Sequence, residues 1–435
     1  MASKSLTIFL IFVIFFQESL EIDYNAESLR IHQQYKGKLS VISKLEIKDS
    51  EDLSIAYTPG VAEPCKKIAK DKNNAFRYTI KGHTVAVVSD GSAVLGLGDI
   101  GPDAALPVME GKAVLFKEFG GVDAFPICLD TKDPDEIVKT VKFIAPTFGG
   151  INLEDISSPR CFEIEEKLIS ELNIPVFHDD QHGTSIVVTA GIINALKLVK
   201  KEWKDLKIVV AGAGAAGLSV VRLLLDFEPY DIILTNRKGA VYEGRPDLNP
   251  IVAKMAKITN KEKKKGTLAD VLVGADIFIG VSGPNLVTTK MIKSMNEDPI
   301  VFALANPYPE IMPEDAFKGG ARIVATGRSD FPNQINNLLA FPGIFRGALM
   351  VRSTKIVDDM KVAAAKALAS LVSDRELNEK MIIPTIFDKR CAKVIAEEVA
   401  KVAEDLGLAL NLGNRDCLNF LLFSNLLLFF QNKKQ

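Results

Sequence analysis

The chain has 435 residues, a formal net charge of -2 and a sequence pI of about 6.2. This length suffices for two domains with full hydrophobic cores. Because the charges balance, the composition gives no reason to expect nucleic acid or an acidic membrane surface as a partner. Five scattered cysteines without a CxxC spacing indicate reduced thiols, and we predict a cytoplasmic protein.

The two ends of the chain differ in composition from its body. Residues 6–16 form an apolar run, interrupted only by Thr7, that resembles the core of a signal peptide but is too short to span a membrane. Residues 417–430 are mostly apolar as well and are followed by a polar, basic end. We predict that 1–24 and 412–435 are extensions of uncertain status, with targeting by the N-terminal segment as the alternative. No membrane association is expected of the body.

The first half of the body alternates apolar, β-branched runs with helical patterns. Strands alternating with helices predict an α/β fold with a mostly parallel sheet. Four glycines in residues 91–101 predict a loop that approaches another group closely. The predicted strands are 84–89, 124–129, 150–153 and 174–177, and the predicted helices are 107–119, 134–144 and 160–172.

The stretch 176–184, with the sequence VFHDDQHGT, connects a predicted strand to a predicted helix. Gly183 predicts a turn, and Thr184 is a good N-cap because its hydroxyl can accept a hydrogen bond from the first helical turn. We therefore predict a helix over 184–199. The residues just before it lie at the carboxyl end of a strand, where α/β proteins place their chemistry.

Two acidic pairs, Glu154-Asp155 and Asp179-Asp180, each follow a short apolar strand. Neighbouring parallel strands would bring the pairs together. Clustered carboxylates repel one another unless a cation holds them, and Mg²⁺ or Mn²⁺ prefers such oxygen ligands. From the residues alone, solvated acids that cap helices are an equally good interpretation.

The spacing His178-x-x-x-His182 is also typical of zinc sites of the HExxH type. That motif requires a helix and a Glu directly after the first His. Here Asp179 follows His178, and Gly183 follows His182. We therefore do not predict zinc.

The second half of the body begins with a dinucleotide fingerprint. A strand at 207–210 leads into GAGAAG and a helix at 218–225. A second strand, 231–235, ends at Asn236, which lies 19 residues after Gly217, where the residue that binds the ribose is expected. Glycines in this turn let the backbone approach the pyrophosphate at the helix N-terminus. The predicted cofactor-binding residues are Gly212, Gly214, Ala215, Ala216, Gly217, Asn236 and Arg237.

Four further residues are of interest only in combination. Tyr57 precedes the turn at Pro59-Gly60, and Lys112 lies in a predicted helix after the glycine-rich loop. Asn306 and Asn337 offer amides to a polar ligand, although turn formation explains an isolated Asn equally well.

Taken together, these motifs resemble the compact, bacterial-type malic enzymes over residues of about 30 to 411. The stretches that carry the resemblance are AYTPGVA (56–62), VLGLGDIGP (94–102), GKAVLFKEFGGVDAFPICLDT (111–131), NLEDI (152–156), VFHDDQHGT (176–184), GAGAAG (212–217), LANPYPE (304–310) and NNLLAFPGIFRGAL (336–349).

The resemblance implies an oxidative decarboxylation of malate to pyruvate that uses NAD or NADP and Mg²⁺ or Mn²⁺. It also implies a homodimer or larger homo-oligomer. Residue by residue, it implies Tyr57 as the proton donor, Lys112 as the general base, Glu154, Asp155 and Asp180 as metal ligands, Asp179 as a partner of Lys112, and Asn306 and Asn337 as substrate contacts.

Two positions depart from the family pattern. Larger animal and plant relatives carry an Arg that holds a substrate carboxylate where this chain has Ala93. Asn236 stands where an acidic residue is expected at the ribose.

We predict an N-terminal α/β catalytic domain over 25–175 and a Rossmann-like, doubly wound dinucleotide-binding domain over 176–411. The alternatives are a two-domain hydroxy-acid or amino-acid dehydrogenase without metal, and a catalytically silent nucleotide-sensing protein.

Overall fold

A computed structural model of the protein describes residues 23–94 and 96–410. The chain divides at Ile42 into two compact units. In the first unit, helix α1 (Tyr24–Tyr35) begins where the Asp23 side chain accepts hydrogen bonds from two backbone N–H groups of its first turn. The predicted targeting segment and the apolar C-terminal run lie outside the described residues.

The second unit contains a four-stranded parallel sheet in the order β2-β1-β3-β4. Alternate side chains of β1 enter two different hydrophobic cores, Val85 and Val87 on one face and Ala86 and Val88 on the other. Because both faces are covered, the strand is apolar almost throughout. The strands are β1 (Thr84–Ser89), β2 (Asp123–Cys128), β3 (Gly150–Leu153) and β4 (Val176–His178).

A second sheet has six strands in the order β10-β9-β8-β5-β6-β7, with β7 antiparallel to β6 and the others parallel. The chain moves from β5 to β6 on one side and later returns to β8 on the other, so the connections change direction at β5. Ligands of doubly wound sheets bind at such a point. The strands are β5 (Lys207–Ala211), β6 (Asp231–Asn236), β7 (Gly239–Ala240), β8 (Ile277–Gly280), β9 (Ile300–Ala303) and β10 (Ile323–Thr326).

Helices cover both sheets. The C-terminal helices Phe341–Met350 and Asp358–Ser370 both pack on the helix Arg390–Asp405, and Phe341–Met350 also packs on Pro102–Gly120. The helices of this unit are α2 (Ser50–Ala56), α3 (Ala62–Lys70), α4 (Ala75–Tyr78), α5 (Pro102–Gly120), α6 (Pro134–Ile144), α7 (Arg160–Glu171), α8 (Asp179–Val199), α9 (Ala215–Leu225), α10 (Pro250–Ala256), α11 (Leu268–Leu272), α12 (Thr289–Lys293), α13 (Pro313–Lys318), α14 (Phe341–Met350), α15 (Asp358–Ser370) and α16 (Arg390–Asp405).

The predicted start of helix α8 at Thr184 is wrong. The helix begins at Asp179, and Gly183 lies inside its first turns. Gly183 is required there for space, because a Cβ atom would lie 2.0 Å from Oδ1 of Asp179. Asp179 and Asp180 thus occupy the first helical turn, where the helix dipole stabilises negative charge.

The predicted start of helix α5 at Pro107 is also wrong. Gly101 has a φ of 81°, which ends the preceding loop, and Pro102 opens the helix. Proline fits the first turn because the N–H it lacks has no helical partner there. Lys112 consequently lies in the middle of a 19-residue helix.

Among the described residues, helix α8 alone is long and apolar enough to cross a membrane. Most of its side chains are buried between the surrounding helices and sheets, including those of Ile186, Val187 and Val188. We therefore assign it as a core helix. The strand that precedes it, β4, belongs to the four-stranded sheet, and the domain boundary at 176 stays a prediction.

Candidate active site

Glu154, Asp155 and Asp180 meet at one edge of the four-stranded sheet. Leu153 at the end of β3 is in register with His178 at the end of β4, so the residues that follow the two strands are neighbours. One carboxylate oxygen from each of the three acids lies within 4.8 Å of the others. The backbone N–H of Asp155 also donates a 2.8 Å hydrogen bond to Oδ2 of Asp180.

The environment of this acidic cluster opposes its negative charge. Burial, together with repulsion by Asp180 and Glu154, raises the pKa of Asp155 to about 9. Burial and the charge of Asp180 raise the pKa of Glu154 to about 7, although Lys112 acts against the shift. Three oxygen donors with such mutual repulsion fit a hard divalent cation such as Mg²⁺ or Mn²⁺. One third of the Asp180 side chain is exposed, so the cluster opens to solvent on that side.

Lys112 lies directly beside the acidic cluster. Its Nζ is 2.6 Å from Oδ2 of Asp179 and 2.8 Å from Oε1 of Glu154, and it stands 4.4 Å above the ring of Phe341. Burial alone would lower the pKa of Lys112, but the carboxylates of Asp179 and Glu154 outweigh burial and hold this pKa above its usual range. The side chain is therefore an ammonium group held between two acids.

Asp179 connects Lys112 to Asn337. The Asn337 amide donates a 2.6 Å hydrogen bond to Oδ2 of Asp179, the oxygen that also accepts from Lys112. Asp179 is fully buried, and its burial raises its pKa to about 6. The predicted substrate contact Asn337 is thus connected to the predicted base Lys112 by two hydrogen bonds through Asp179.

The glycine-rich loop 90–101 packs against the acidic cluster. The backbone N–H of Ala93 donates a 2.9 Å hydrogen bond to the carbonyl oxygen of Asp155. A Cβ on Gly91 would lie 2.2 Å from the carbonyl oxygen of Gly101, so only glycine lets the two ends of this loop meet. Arg160 ties the loop to the start of α7 by bonding the side chain of Asp90 at 3.0 Å.

Tyr57 is not part of this cluster in the single chain. It caps the C-terminal end of α2, and its side chain is 66% exposed. Within the described residues, no hydrogen bond or ring contact joins Tyr57 to Lys112.

The predicted dinucleotide turn lies between β5 and α9. Gly212 has a φ of 125°, and a Cβ there would lie 2.6 Å from the carbonyl oxygen of Val281. A Cβ on Gly217 would lie 1.7 Å from the carbonyl oxygen of Gly212, so both positions require glycine. Around Gly214 the space is open, with no atom within 4 Å of an added Cβ among the described residues. Helix α9 begins at Ala215, directly behind this open space, which fits a pyrophosphate group.

Asn236 ends strand β6, and its side-chain oxygen is already engaged. Oδ1 of Asn236 accepts hydrogen bonds from the Arg245 guanidinium at 2.9 Å and from the backbone N–H of Lys238 at 3.0 Å. Asp247 pairs with both cations, at 2.7 Å from Arg245 and 3.0 Å from Lys238. Arg237 is exposed. The sequence prediction missed Arg245, because its loop at 241–249 carries no motif that would assign it to the ribose end.

Asn306 follows strand β9, on the same edge of the six-stranded sheet as the dinucleotide turn. Gly327 follows β10, and a Cβ atom added to it would lie 2.7 Å from Nδ2 of Asn306. The Asn306 amide is therefore closely packed.

Two contact residues of Lys112 and Glu154 were not predicted. Asn152 donates a 2.8 Å hydrogen bond to Oε2 of Glu154. The signal was present, because residues two apart in a strand share one face. Phe341 lies under the Lys112 ammonium group but is distant in sequence, so no local pattern could have identified it.

Comparisons with known proteins identify the family of the chain. The family described as malic enzyme, N-terminal domain, matches residues 36–169, and malic enzyme, NAD binding domain, matches residues 181–404. A bifunctional malic/malolactic enzyme of Bacillus subtilis (strain 168) is 59% identical over 384 residues, which is 88% of this chain and 94% of the relative. An NADP-dependent malic enzyme of Halomonas elongata is 46% identical over 405 residues, covering 89% of this chain and 94% of the relative.

Solved structures give the same result. The crystal structure of an NAD-dependent malic enzyme from Thermotoga maritima superimposes with a TM-score of 0.83 at 50% identity, covering 86% of this chain and 98% of that chain. The two-domain α/β fold and the NAD- or NADP-binding domain predicted from the sequence are thereby confirmed. This chain belongs to the malic enzyme family of NAD- and NADP-dependent oxidoreductases.

Proposed function

We propose that the chain catalyses the metal-dependent oxidative decarboxylation of (S)-malate to pyruvate and CO₂, with reduction of NAD or NADP. The observation that carries this proposal is the contact of Lys112 with Glu154 and Asp179, directly beside the acidic cluster. A metal-free dehydrogenase has no need of three clustered carboxylates. A catalytically silent nucleotide sensor has no need of a lysine held among them.

Glu154, Asp155 and Asp180 would hold the divalent cation. Their oxygen-only donor set and the desolvated, mutually repelling carboxylates support this assignment. When bound there, such a cation would supply Lewis-acid polarisation of the C2 hydroxyl of malate and would stabilise the negative charge that develops on its oxygen. Asp179 is not a ligand in this assignment, because the group of mutually close ligand oxygens consists of Glu154, Asp155 and Asp180. Asp179 instead bonds Lys112 and Asn337.

The residues of the chain divide the proton transfers between them. Lys112 acts in its neutral form, which would become accessible once the charge of a bound cation offsets the carboxylates that hold the ammonium group. The neutral Lys112 amine takes the proton of the C2 hydroxyl while the C2 hydrogen leaves as hydride to the nicotinamide. The C3–C4 bond of the resulting oxaloacetate breaks and releases CO₂. Tyr57 then protonates C3, which becomes the methyl group of pyruvate. Asn306 and Asn337 hold the substrate, and Asp179 orients the Lys112 amine.

Product stoichiometry tests this function. The purified chain is incubated with (S)-malate, Mn²⁺ and either NAD or NADP, and pyruvate, CO₂ and reduced cofactor are quantified. The expected result is equal amounts of all three. Lactate is measured in the same samples, because the relative from Bacillus subtilis is named a malic/malolactic enzyme. Reduced cofactor without CO₂, or no turnover with either cofactor, contradicts the proposal.

We further propose that a second copy of the chain covers the surface around Tyr57. Around α2, a series of large apolar side chains is exposed: Leu45, Ile47, Leu53, Ile55 and Tyr57. Exposed apolar surface of this kind is typical of interfaces. In the proposed function Tyr57 protonates the substrate in the active site, but within a single chain Tyr57 is not part of that site. Tyr57 would therefore act in the site of the neighbouring copy, in a homodimer or larger assembly.

Replacing Tyr57 by Phe separates protonation from hydride transfer. The Tyr57→Phe variant is expected to lose malate-to-pyruvate turnover by about 10² to 10⁴-fold, because the general acid for C3 is removed. It should still reduce supplied oxaloacetate with NADH, a step that needs no proton at C3. Both rates are measured on one preparation. Tyr78, another exposed tyrosine, provides the control Tyr78→Phe, which should retain both activities.

Mixed assemblies locate the site in which Tyr57 acts. Mixing the inactive variants Tyr57→Phe and Lys112→Met should restore part of the activity, since one intact site forms in each mixed pair. An equal loss of oxaloacetate reduction and malate turnover in Tyr57→Phe would show that Tyr57 is structural. Absence of any restored activity in verified mixed assemblies would place Tyr57 in its own chain's site.

We propose that the cofactor site accepts NADP at least as well as NAD. Asn236 carries no negative charge that would repel a 2′-phosphate. Because its Oδ1 atom is engaged by Arg245 and Lys238, Asn236 presents its amide Nδ2 as a donor. The charges of Arg237, Lys238, Arg245 and Asp247 sum to +2 at this end of the site, from three cations and one anion. A phosphate is an acceptor with negative charge, so both features favour it.

Adding a negative charge at position 236 should reverse this preference. In Asn236→Asp, the carboxylate keeps the hydrogen bonds from Arg245 and Lys238 but repels the 2′-phosphate. The ratio of kcat/KM for NADP to that for NAD is expected to fall by about tenfold or more. Steady-state kinetics with both cofactors measures the ratio, and Asn73→Asp, an exposed position in the short turn between α3 and α4, is the control for the added charge. An unchanged ratio, or a parent enzyme that rejects NADP at high concentration, would contradict the proposal.

A further inference from the structure

We propose that Glu310 is a positioning residue that connects the substrate side of the active site to its cofactor side. Its side chain is fully buried, and its two carboxylate oxygens bond two different loops. Oε1 accepts a 2.9 Å hydrogen bond from the backbone N–H of Ser282, and Oε2 accepts a 3.1 Å hydrogen bond from the backbone N–H of Ala305. No Lys or Arg side chain is paired with it in the described part of the chain.

The first of these loops supports the dinucleotide turn. Ser282 follows β8, the strand next to β5, and Val281 lies between β8 and Ser282. A Cβ atom added to Gly212 would lie 2.6 Å from the carbonyl oxygen of Val281. Holding the backbone of Ser282 therefore fixes the wall against which the dinucleotide fingerprint packs.

The second loop carries the predicted substrate contact. Ala305 directly precedes Asn306, and the backbone of Glu310 itself joins the two loops, since its carbonyl oxygen accepts a 3.0 Å hydrogen bond from Val287. The carboxylate of Glu310 thus sets the separation between the backbone beside Asn306 and the backbone beside the dinucleotide turn. Hydride transfer depends on that separation, and a misplacement of about 1 Å can cost 10²-fold in rate.

Gly280 is the counterpart of Glu310 in strand β8. A Cβ added to Gly280 would lie 2.3 Å from the carboxyl carbon of Glu310 and 2.6 Å from Oε2. Because the Glu310 side chain is enclosed, this contact cannot be relieved by moving into solvent. Only glycine at position 280 lets the carboxylate lie between the two loops, so Gly280→Ala displaces the same group that a substitution of Glu310 would remove.

The inference rests on the proposed function only for the identity of the substrate. The two loops and their hydrogen bonds to Glu310 are independent of that function. In Glu310→Gln, one carboxylate oxygen becomes an NH₂ group that faces an N–H donor, so one loop is released. We expect kcat/KM for malate to fall by about 10- to 100-fold. The dissociation constant for NADH should rise by about 3- to 10-fold. The deuterium isotope effect on kcat/KM with C2-deuterated malate should increase, because hydride transfer becomes slower relative to the other steps.

The experiment compares the full chain with Glu310→Gln, Gly280→Ala and the double variant. Because both substitutions act through one carboxylate, the double variant should lose little more than either single variant. Glu314→Gln, an exposed acid four residues further on, is the control and should behave like the parent. Mn²⁺ affinity should be unchanged in all variants, since the acidic cluster lies at the other sheet. If Glu310→Gln fails to fold, Gly280→Ala provides the same readouts.

Parent-like kinetics, isotope effect and NADH affinity in Glu310→Gln or in a folded Gly280→Ala would overturn the inference. Additive losses in the double variant would overturn it as well, and so would a loss confined to thermal stability. A parent chain without malate turnover would reject the proposed function instead. NADH affinity would still test the role of Glu310 in that case. Weaker NADH binding by Glu310→Gln would support the positioning role, and unchanged NADH binding would contradict it.

Discussion

Replacing Asp180 by Asn is expected to reduce malate turnover by about 10²-fold or more. Even substitution of a residue that only supports a metal ligand typically lowers metal affinity or activity by about 10 to 100-fold. The same variant should be more stable than the parent in the absence of metal. Removing one charge relieves the repulsion among Glu154, Asp155 and Asp180, while the Asn oxygen can still accept the hydrogen bond from Asp155. Thermal unfolding with and without Mn²⁺ measures both effects.

In the parent, a cation bound at 100 times its dissociation constant contributes about 2.7 kcal/mol to the free energy of unfolding. Asp180→Asn should lose most of this gain. The control is Asp374→Asn, which changes an exposed acid between α15 and α16. A parent-like Mn²⁺-dependent shift of the melting temperature in Asp180→Asn would move the metal site elsewhere, whatever happens to the activity.

Replacing Lys112 by Met should destabilise the metal-free protein, whereas Asp180→Asn should stabilise it. Lys112 is buried and lies within hydrogen-bonding distance of Glu154 and Asp179, so its removal leaves two acids without their cation. Breaking a buried ion pair by removing one partner costs about 3–5 kcal/mol. Turnover of malate should fall by about 10² to 10⁴-fold, because the proposed general base is lost. Urea unfolding measures the free energy of unfolding, and steady-state kinetics measures the turnover of malate.

Lys401→Met, which removes an exposed lysine from α16, is the control and should change neither number. Unchanged turnover in Lys112→Met would show that another group takes the hydroxyl proton. Stabilisation of the metal-free protein, instead of destabilisation, would mean that Lys112 is not the cation that balances these acids.

The sequence identified the parts of the site whose geometry is local. The GAGAAG turn lies between a strand and a helix, and the clash of an added Cβ on Gly217 with the carbonyl oxygen of Gly212 follows from that short connection alone. The clash at Gly212 involves Val281 after β8 and is not local. The two acidic pairs follow the ends of adjacent parallel strands, so their meeting follows from strand pairing. Family motifs supplied the roles, which the fold by itself does not.

The errors and omissions have a common physical cause. The start of helix α8 was misplaced because Gly183 is typical of a turn, whereas here it makes room for the carboxylate of Asp179. Glu310 acts through hydrogen bonds from backbone N–H groups of two loops, and Arg245 acts through the carbonyl oxygen of Ala240 and the side chain of Asn236. Such contacts have no characteristic spacing in the sequence. Tyr57 was grouped with Lys112 by its motif, but the single chain leaves it exposed.

An equilibrium titration of Mn²⁺ tests the metal assignment most directly, with turnover of malate followed in the same samples. Free Mn²⁺ is measured by electron paramagnetic resonance for the parent and for Asp180→Asn. The parent should bind one Mn²⁺ per chain, lose turnover in excess chelator and regain it when Mn²⁺ is restored, and Asp180→Asn should lack this binding. Full turnover of the parent in excess chelator, or equal Mn²⁺ binding by Asp180→Asn, would contradict the assignment of Glu154, Asp155 and Asp180 as the metal site.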